Sequence, residues 1–520
     1  MIIKALILEN FKGIREPVRI DFAPVTLLFG PNNAGKSTIV QALHYAREIF
    51  ERGNADPGRT LLGGDVLDLG GFDSLVHNHD RSLPIRMRFE LDVSREDFGD
   101  LEQWINVPTY GSAQFSNAPS TATIEVETRW SEVLDGPRIS FCSLGYDGQP
   151  LLKMEGSGDG RRVTFQILDS HHPIMTWVGP SLRVVANEEP TPLVEYDSPF
   201  SQQMEIFLES ATVIPQSGKP LNFPDLGEYW ESEDPEQAAH QQSALVISAL
   251  TVAPIMMLKM NLERFRYISP FRKMPGRNYH PARSPDEFRW SNGMAAWDLL
   301  LLKGDTLVEK VNTWLTHKDR LNAGYRVEVK RYKELEVNSP LMMALTRETM
   351  LDDQEWLRDA VKSLPERQQL MILDQQRGME LFPQDVGVGI SQVVPVLVAA
   401  VHSQMGIVAI EEPESNIHPA FQVALGDLFI SQTQEKPDLM FLVETHSEHL
   451  MLRFLRRIRE TGENELPPGA PSLTPEGIAV YFVEPEEDGP RIHRIRIDSD
   501  GDFIDRWPRG FFQERMKELY

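Results

Sequence analysis

One stretch constrains this chain more than any other: Gly30-Pro31-Asn32-Asn33-Ala34-Gly35-Lys36-Ser37-Thr38. It fits the pattern G-x-x-x-x-G-K-[ST], follows the apolar run Val25–Phe29 and precedes a segment of helical character, Ile39–Phe50. The glycines let the backbone turn its N–H groups inward around phosphates, and the helix that follows adds partial positive charge at its start. Lys36 is placed to reach the β- and γ-phosphates, and the Ser37 hydroxyl to complete the shell of a bound Mg²⁺. ATP and Mg²⁺ are the ligands this stretch predicts.

The strongly acidic balance, a net charge of −25, argues against a surface that is basic throughout. Nucleic acid then has only a local basic patch to meet. A single cysteine, Cys142, excludes an internal disulfide framework and suits a reducing compartment. The N-terminal segment reads as a strand, and the apolar run Ser243 to Leu258 is interrupted and too short to span a bilayer. The expectation is a soluble, cytoplasmic protein without a membrane element.

Along the chain, residues 2–9 and 18–29 read as short strands feeding the phosphate loop. Ile85–Leu91 and Ala122–Glu127 alternate as antiparallel strands with one wet face. A helical region runs from Asp234 to Arg264. The basic segment Phe265–Tyr279 follows; it offers Arg272 or Arg277 to a phosphate, but the favoured reading is a solvated loop forming ion pairs with this acidic chain. Helices are expected at Met294–Lys303, Thr306–Thr316 and Asp353–Leu364, and a strand at Tyr325–Val329.

Chemistry returns far downstream. Gly406-Ile407-Val408-Ala409-Ile410-Glu411-Glu412-Pro413-Glu414 is a continuous apolar strand ending in acids, which suits a buried parallel strand whose end faces a ligand. Glu411 is positioned to hold Mg²⁺ through water and Glu412 to orient or deprotonate the attacking water. Asp438–Ser447 is a second buried strand ending in Glu444-Thr445-His446, where His446 can sense the γ-phosphate. Upstream, Gly387-Val388-Gly389-Ile390-Ser391-Gln392 is a glycine–serine turn opening an apolar helix, Val394–His402, and so a second anion site. Two such turns are one too many for a single nucleotide. The resolution is that the second caps the nucleotide bound by another copy of the chain.

This set of motifs resembles ABC-type ATPase heads of the RecF/SMC-like kind. More narrowly, it resembles prokaryotic AAA-family ATPases related to the overcoming-lysogenization-defect (OLD) proteins, many of which belong to antiphage defence systems. The resemblance implies an α/β fold: an ABC-type P-loop ATPase head of mixed or parallel sheet with an antiparallel β subdomain, split by a large α+β insertion. It divides the chain into an N-terminal lobe at 1–94, an insertion at 95–380, a C-terminal lobe at 381–470 and a small β/α element at 471–520; the Arg491–Tyr520 and Tyr267–Tyr279 segments look like those of relatives bearing a small C-terminal domain of unknown function. It implies that Gly30, Asn32, Asn33, Ala34, Gly35, Lys36, Ser37 and Thr38 bind phosphate and Mg²⁺, and that Glu411 is the Walker B acid. Glu412 becomes the catalytic glutamate, Gly387, Gly389, Ser391 and Gln392 the signature, and His446 the switch histidine. Two departures stand out: Glu411 replaces the more usual aspartate, and no Q-loop glutamine is evident, Phe72–Asp80 being a positional candidate only.

The expected function is Mg²⁺-dependent ATP hydrolysis by a dimerising head that drives conformational change in a partner, in prokaryotic antiviral defence. The main rival is a slow-turnover ATP-bound scaffold that assembles with a separate nuclease or toxin. A built-in OLD-like nuclease is disfavoured, because the strand before Asp498-Ser499-Asp500 alternates as a half-exposed hairpin strand and Asp500-Gly501 makes a hairpin turn. His77-Asn78-His79-Asp80 lacks further ligands at metal spacing, and the basic helix Met451–Arg459 reads as a solvated face.

Overall fold

The computed structural model describes residues 2–58, 60, 63–94, 102–105, 119–160, 162–176, 200, 202–208, 212–226, 235–282, 287–346 and 354–508. Asp353 of the expected helix and the stretch from Arg509 onward lie outside them.

The described strands, in chain order, are β1 (Ile3–Glu9), β2 (Val18–Asp21), β3 (Val25–Phe29), β4 (Ile85–Asp92), β5 (Thr121–Ser131), β6 (Gly136–Tyr146), β7 (Gln149–Gly156), β8 (Val163–Ile167), β9 (Met204–Ile206), β10 (Arg266–Ile268), β11 (Tyr325–Lys333), β12 (Glu366–Asp374), β13 (Met379–Leu381), β14 (Gly406–Glu411), β15 (Leu439–Glu444), β16 (Ile478–Glu486) and β17 (Gly489–Ile495). They form three sheets. The central one runs β10-β14-β15-β3-β16-β17, and its first five strands are parallel to their neighbours. An eight-stranded antiparallel sheet runs β2-β1-β4-β5-β6-β7-β8-β9, and a small one β11-β12-β13.

The central strands are apolar on both faces because both faces are covered. Leu28, Ile407, Ala409, Met440, Leu442 and Tyr481 point into one core, shared with helices Ser37–Arg52 and Pro235–Glu263 and with the antiparallel sheet. Val25, Leu27, Phe29, Val408, Ile410, Phe441, Val443 and Phe482 point into the other, shared with helices Met294–Leu302, Asp305–Thr316, Val388–His402, Pro419–Glu435 and Glu448–Gly462. This period-2 division places the phosphate-loop strand at the centre of the molecule.

Two expectations are corrected here. The boundaries at 94, 380 and 470 cut through sheets rather than between domains: β4 pairs with β5, β10 lies beside β14, and β16 lies beside β3. The C-terminal hairpin β16–β17 is therefore part of the central sheet. It also seals the phosphate loop: a Cβ at Gly30 would meet the Val483 carbonyl oxygen at 2.3 Å, and one at Gly489 the Gly13 carbonyl oxygen at 2.0 Å. Second, the apolar run after residue 243 belongs to a longer helix. Ser243–Glu263 has the length and hydropathy to cross a membrane, but most of it is buried within the fold, as suits a core helix.

Candidate nucleotide site

Four strands end on one edge of the central sheet, and parallel pairing decides what meets there. Glu411 is level with Glu444, Glu444 with Leu28, and Ile410 with Ile268. Residues that leave these strands, at 30–38, 269–272, 411–414 and 444–446, converge although hundreds of positions separate them in sequence.

In the phosphate loop, Gly30, Asn33 and Gly35 adopt positive φ of 146°, 62° and 95°. Gly35 needs this freedom, since Pro490 of the hairpin would lie 3.3 Å from a Cβ there. Pro31, Asn32 and Asn33 are exposed, whereas Ala34, Lys36 and Thr38 are buried. The Lys36 ammonium donates to the carbonyls of Gly30 and Pro31, each at 3.0 Å, and lies 3.5 Å from Glu444 Oε1. The Ser37 hydroxyl donates to Glu444 Oε2 at 2.8 Å. Glu444 is the residue that sequence reasoning misses. The signal was its place: an acid at the end of a buried parallel strand, level with the acid of the neighbouring strand.

Four glutamates crowd this edge. Burial and then the Glu444 carboxylate push Glu411 up to about 7, while a hydrogen bond from the Tyr267 hydroxyl and the Lys36 charge pull the other way. Burial likewise raises Glu444 and Glu414. Glu412 sits on left-handed backbone, φ 44°, a conformation costly for a side chain with a Cβ and therefore held by its surroundings. Its amide donates to the Glu444 carbonyl at 2.8 Å, and its Oε2 accepts from Ser415 Oγ at 2.7 Å. The His446 amide donates to Glu414 Oε1 at 2.6 Å. Its Nε2 is buried with no hydrogen-bond partner, and burial, then the Lys36 charge, lowers the ring's pKa, keeping it neutral.

Arg272 overturns its reading as part of a solvated loop. It is 4% exposed, and its Nη2 donates to the Glu411 carbonyl at 2.7 Å and the Glu412 carbonyl at 3.1 Å. Arg277 does form the expected exposed ion pair, with Asp385 at 3.1 Å. Local composition was the same for both arginines; only the path of β10 alongside β14 separates them.

The signature residues are also corrected in part. The helix opens at Val388 rather than Val394, with Gly387 as its cap, so Ser391 and Gln392 lie inside it and are buried. Ser391 Oγ donates to the Val388 carbonyl at 2.8 Å and Gln392 Nε2 to the Arg272 carbonyl at 2.9 Å. What the turn presents outward is Gly387 and Val388, the latter 49% exposed.

The remaining candidates have structural uses. The His77 ring is hydrogen-bonded to the Lys12 carbonyl and the His79 ring to the Asp73 carbonyl, so this stretch braces the turn after β1. Asp498 Oδ1 accepts from the amides of Asp500 and Asp502 in a tight turn, and Ile497 bridges Phe503. Arg453 and Arg457 of the basic helix pair with Asp427.

Ser37, Glu411 and Glu444 offer oxygen donors alone, the type Mg²⁺ prefers. Among the described residues no group of three or more acidic, histidine or cysteine side chains is placed to hold a metal ion.

A phosphate loop between a central parallel strand and a buried helix, facing strand-end acids, defines a P-loop ATPase head. Family models match three stretches of the chain: an AAA ATPase domain over residues 1–58, an "AAA domain, putative AbiEii toxin, Type IV TA system" over 229–452, and a protein of unknown function (DUF3696) over 473–520. The chain binds and hydrolyses ATP. No curated protein matches it. Solved structures with some likeness include the SmcHead bound to the C-winged helix domain of ScpA, at 10% identity, TM-score 0.39, over 95% of this chain and 98% of that one. Another is the Pyrococcus furiosus Smc head domain with an extended coiled coil, bound to the C-terminal domain of ScpA, at 12% identity, TM-score 0.36, over 99% and 98%. A third is the SMC head domain from Thermotoga maritima, at 10% identity, TM-score 0.36, over 96% and 100%.

Proposed function

We propose that the chain hydrolyses Mg²⁺-bound ATP at the junction of residues 30–38, 411–414 and 444–446, and that two copies close around the nucleotides. The observation that carries this is the meeting of Lys36 and Ser37 with Glu444, 3.5 and 2.8 Å away, on the strand level with Glu411. The Gly30–Thr38 backbone cradles the triphosphate, and Lys36 leaves its two loop carbonyls to reach the terminal phosphates. Ser37 and Glu411 would hold the Mg²⁺ shell, with Glu444 accepting from the Ser37 hydroxyl behind it. When bound, Mg²⁺ offsets the charge that develops on the phosphates. Glu412 orients water for in-line attack and takes up its proton, while neutral His446 donates toward the terminal phosphate or the water.

The exposed Gly387 and Val388, at the start of a helix of 15 residues, suit contact with the nucleotide of a second copy. Backbone amides of Gly387 and Gly389 do this, Ser391 and Gln392 being committed inward. ATP then closes the pair and hydrolysis opens it, controlling a separate effector such as a nuclease or toxin in antiviral defence.

The test is Glu412→Gln. It is expected to bind ATP within about 3-fold of the parent, to lose hydrolysis by at least ~100-fold, and to accumulate an ATP-dependent dimer in light scattering. Unchanged phosphate release sinks the assignment of Glu412. A monomer in saturating ATP sinks the dimer.

A further inference from the structure

Arg272 takes no part in the steps proposed for hydrolysis, yet it is buried among the acids of the site. It reaches the strand-end acids from the segment after β10, and its Nη2 bonds the carbonyls of both Glu411 and Glu412. Nε and Nη1 are buried with no hydrogen-bond partner. The charges that face it are those of Glu414, Glu412 and Glu411. Its own backbone is clamped: Gln392 Nε2 donates to its carbonyl at 2.9 Å, and Lys273 N donates to the Asn292 carbonyl at 2.8 Å. A Cβ on Gly293 would come 3.4 Å from the Arg272 Cβ and 3.1 Å from Pro395 Cγ, so the segment is wedged against the helix that opens at Val388.

A buried guanidinium with unpartnered N–H groups is a poor way to stabilise a fold, since an apolar side chain of similar volume avoids its desolvation. Its geometry instead does something an apolar residue does not. One planar group grips two successive carbonyls, and the second belongs to the residue with left-handed backbone, Glu412. We infer that Arg272 is a positioning residue for hydrolysis, holding the Glu411–Glu412 peptide so that the Glu412 carboxylate stays aimed, with Gln392 locking Arg272 in place from the helix behind the Gly387 turn. This rests on the assignment of Glu412 proposed above. The role predicts lost turnover without lost nucleotide binding, because Arg272 touches the acid strand and not the phosphate loop among the described contacts. Lysine is not equivalent, having a point charge on a flexible stem in place of a planar fork.

The experiment measures steady-state ATP hydrolysis and equilibrium binding of a fluorescent ATP analogue in the full chain, for Arg272→Lys, Gln392→Ala and the double variant. Arg272→Lys is expected to lower kcat about 30-fold, with KM and analogue affinity within about 3-fold, since small misplacements of a reacting group cost one to two orders of magnitude. Gln392→Ala is expected to lower kcat about 5-fold. The double variant should fall no more than about 2-fold below Arg272→Lys, because both act on one contact. A folded Arg272→Lys with kcat within about 2-fold of the parent overturns the inference, as does a loss of analogue binding that matches the loss of kcat. If Arg272→Lys does not fold, an unchanged kcat in Gln392→Ala overturns it alone. Glu412→Gln, run alongside, separates the two readings. Full turnover there sinks the role of Glu412 whatever Arg272 does, whereas lost turnover there with intact turnover in Arg272→Lys sinks only the positioning role.

Discussion

Replacing Glu444 by Gln separates two effects that point in opposite directions. With the carboxylate present, Lys36 faces a charge 3.5 Å away as well as the carbonyls of Gly30 and Pro31. At an effective dielectric of about 20, that attraction is ~5 kcal/mol before desolvation, and offsetting the desolvation of two buried ions leaves roughly 1–2 kcal/mol. ATP must draw the ammonium away from this partner. Neutralising Glu444 while keeping its shape therefore raises affinity for Mg²⁺-free ATP, by about 10-fold. The same change removes a negative charge behind Ser37, whose hydroxyl now meets an amide, so the Mg²⁺ needed for half-maximal hydrolysis rises by a similar factor. Calorimetric titration of ATP in EDTA, with a Mg²⁺ titration of phosphate release beside it, reads both. If Mg²⁺-free ATP binds the variant no more tightly than the parent, Lys36 is not restrained by Glu444 and this account of the resting site is wrong.

Three further outcomes follow from the same geometry. Lys36→Ala should weaken ATP binding by at least ~100-fold in the same titration, since in the proposed mechanism the ammonium leaves the Gly30 and Pro31 carbonyls for the triphosphate. Glu411, raised to about 7, is largely protonated below that pH, and a metal ion must displace the proton. The half-saturating Mg²⁺ concentration should thus climb about 10-fold per pH unit below 7 and level off above it; a flat profile from pH 5.5 to 8 counts against Glu411 as a ligand. Gly489→Ala drives a methyl group toward the Gly13 carbonyl at a φ of 121°, so it should cost ~2–4 kcal/mol in denaturant unfolding. A cost below ~0.5 kcal/mol would mean that the hairpin does not seal the loop.

The ends of the site were legible because their chemistry is local. A loop that wraps phosphate has to hold glycines, a lysine and a hydroxyl within nine consecutive residues, and a strand buried on both faces has to be apolar from Gly406 to Ile410 before it can offer Glu411. The helix starts at Val388, inside the glycine–serine turn, because Ile390, Val393 and Val394 bury apolar side chains in the core while Gly387 caps it. Arg272 and Glu444 were beyond local reading. A buried arginine and a solvated one have the same neighbours in sequence, and a strand-end glutamate declares a role only once its pairing partner is known.

The sequence by itself determined the phosphate-loop pattern and the two apolar strands that end in acids, since those demands fall on short runs of residue types. Only the tertiary structure decided which acid faces Ser37, which arginine is taken out of water, and that the C-terminal hairpin closes the phosphate loop. Those facts depend on parallel strands whose neighbours in space lie up to some 450 residues apart, as Phe29 and Phe482 do, and register between such strands is written in no single stretch of the chain.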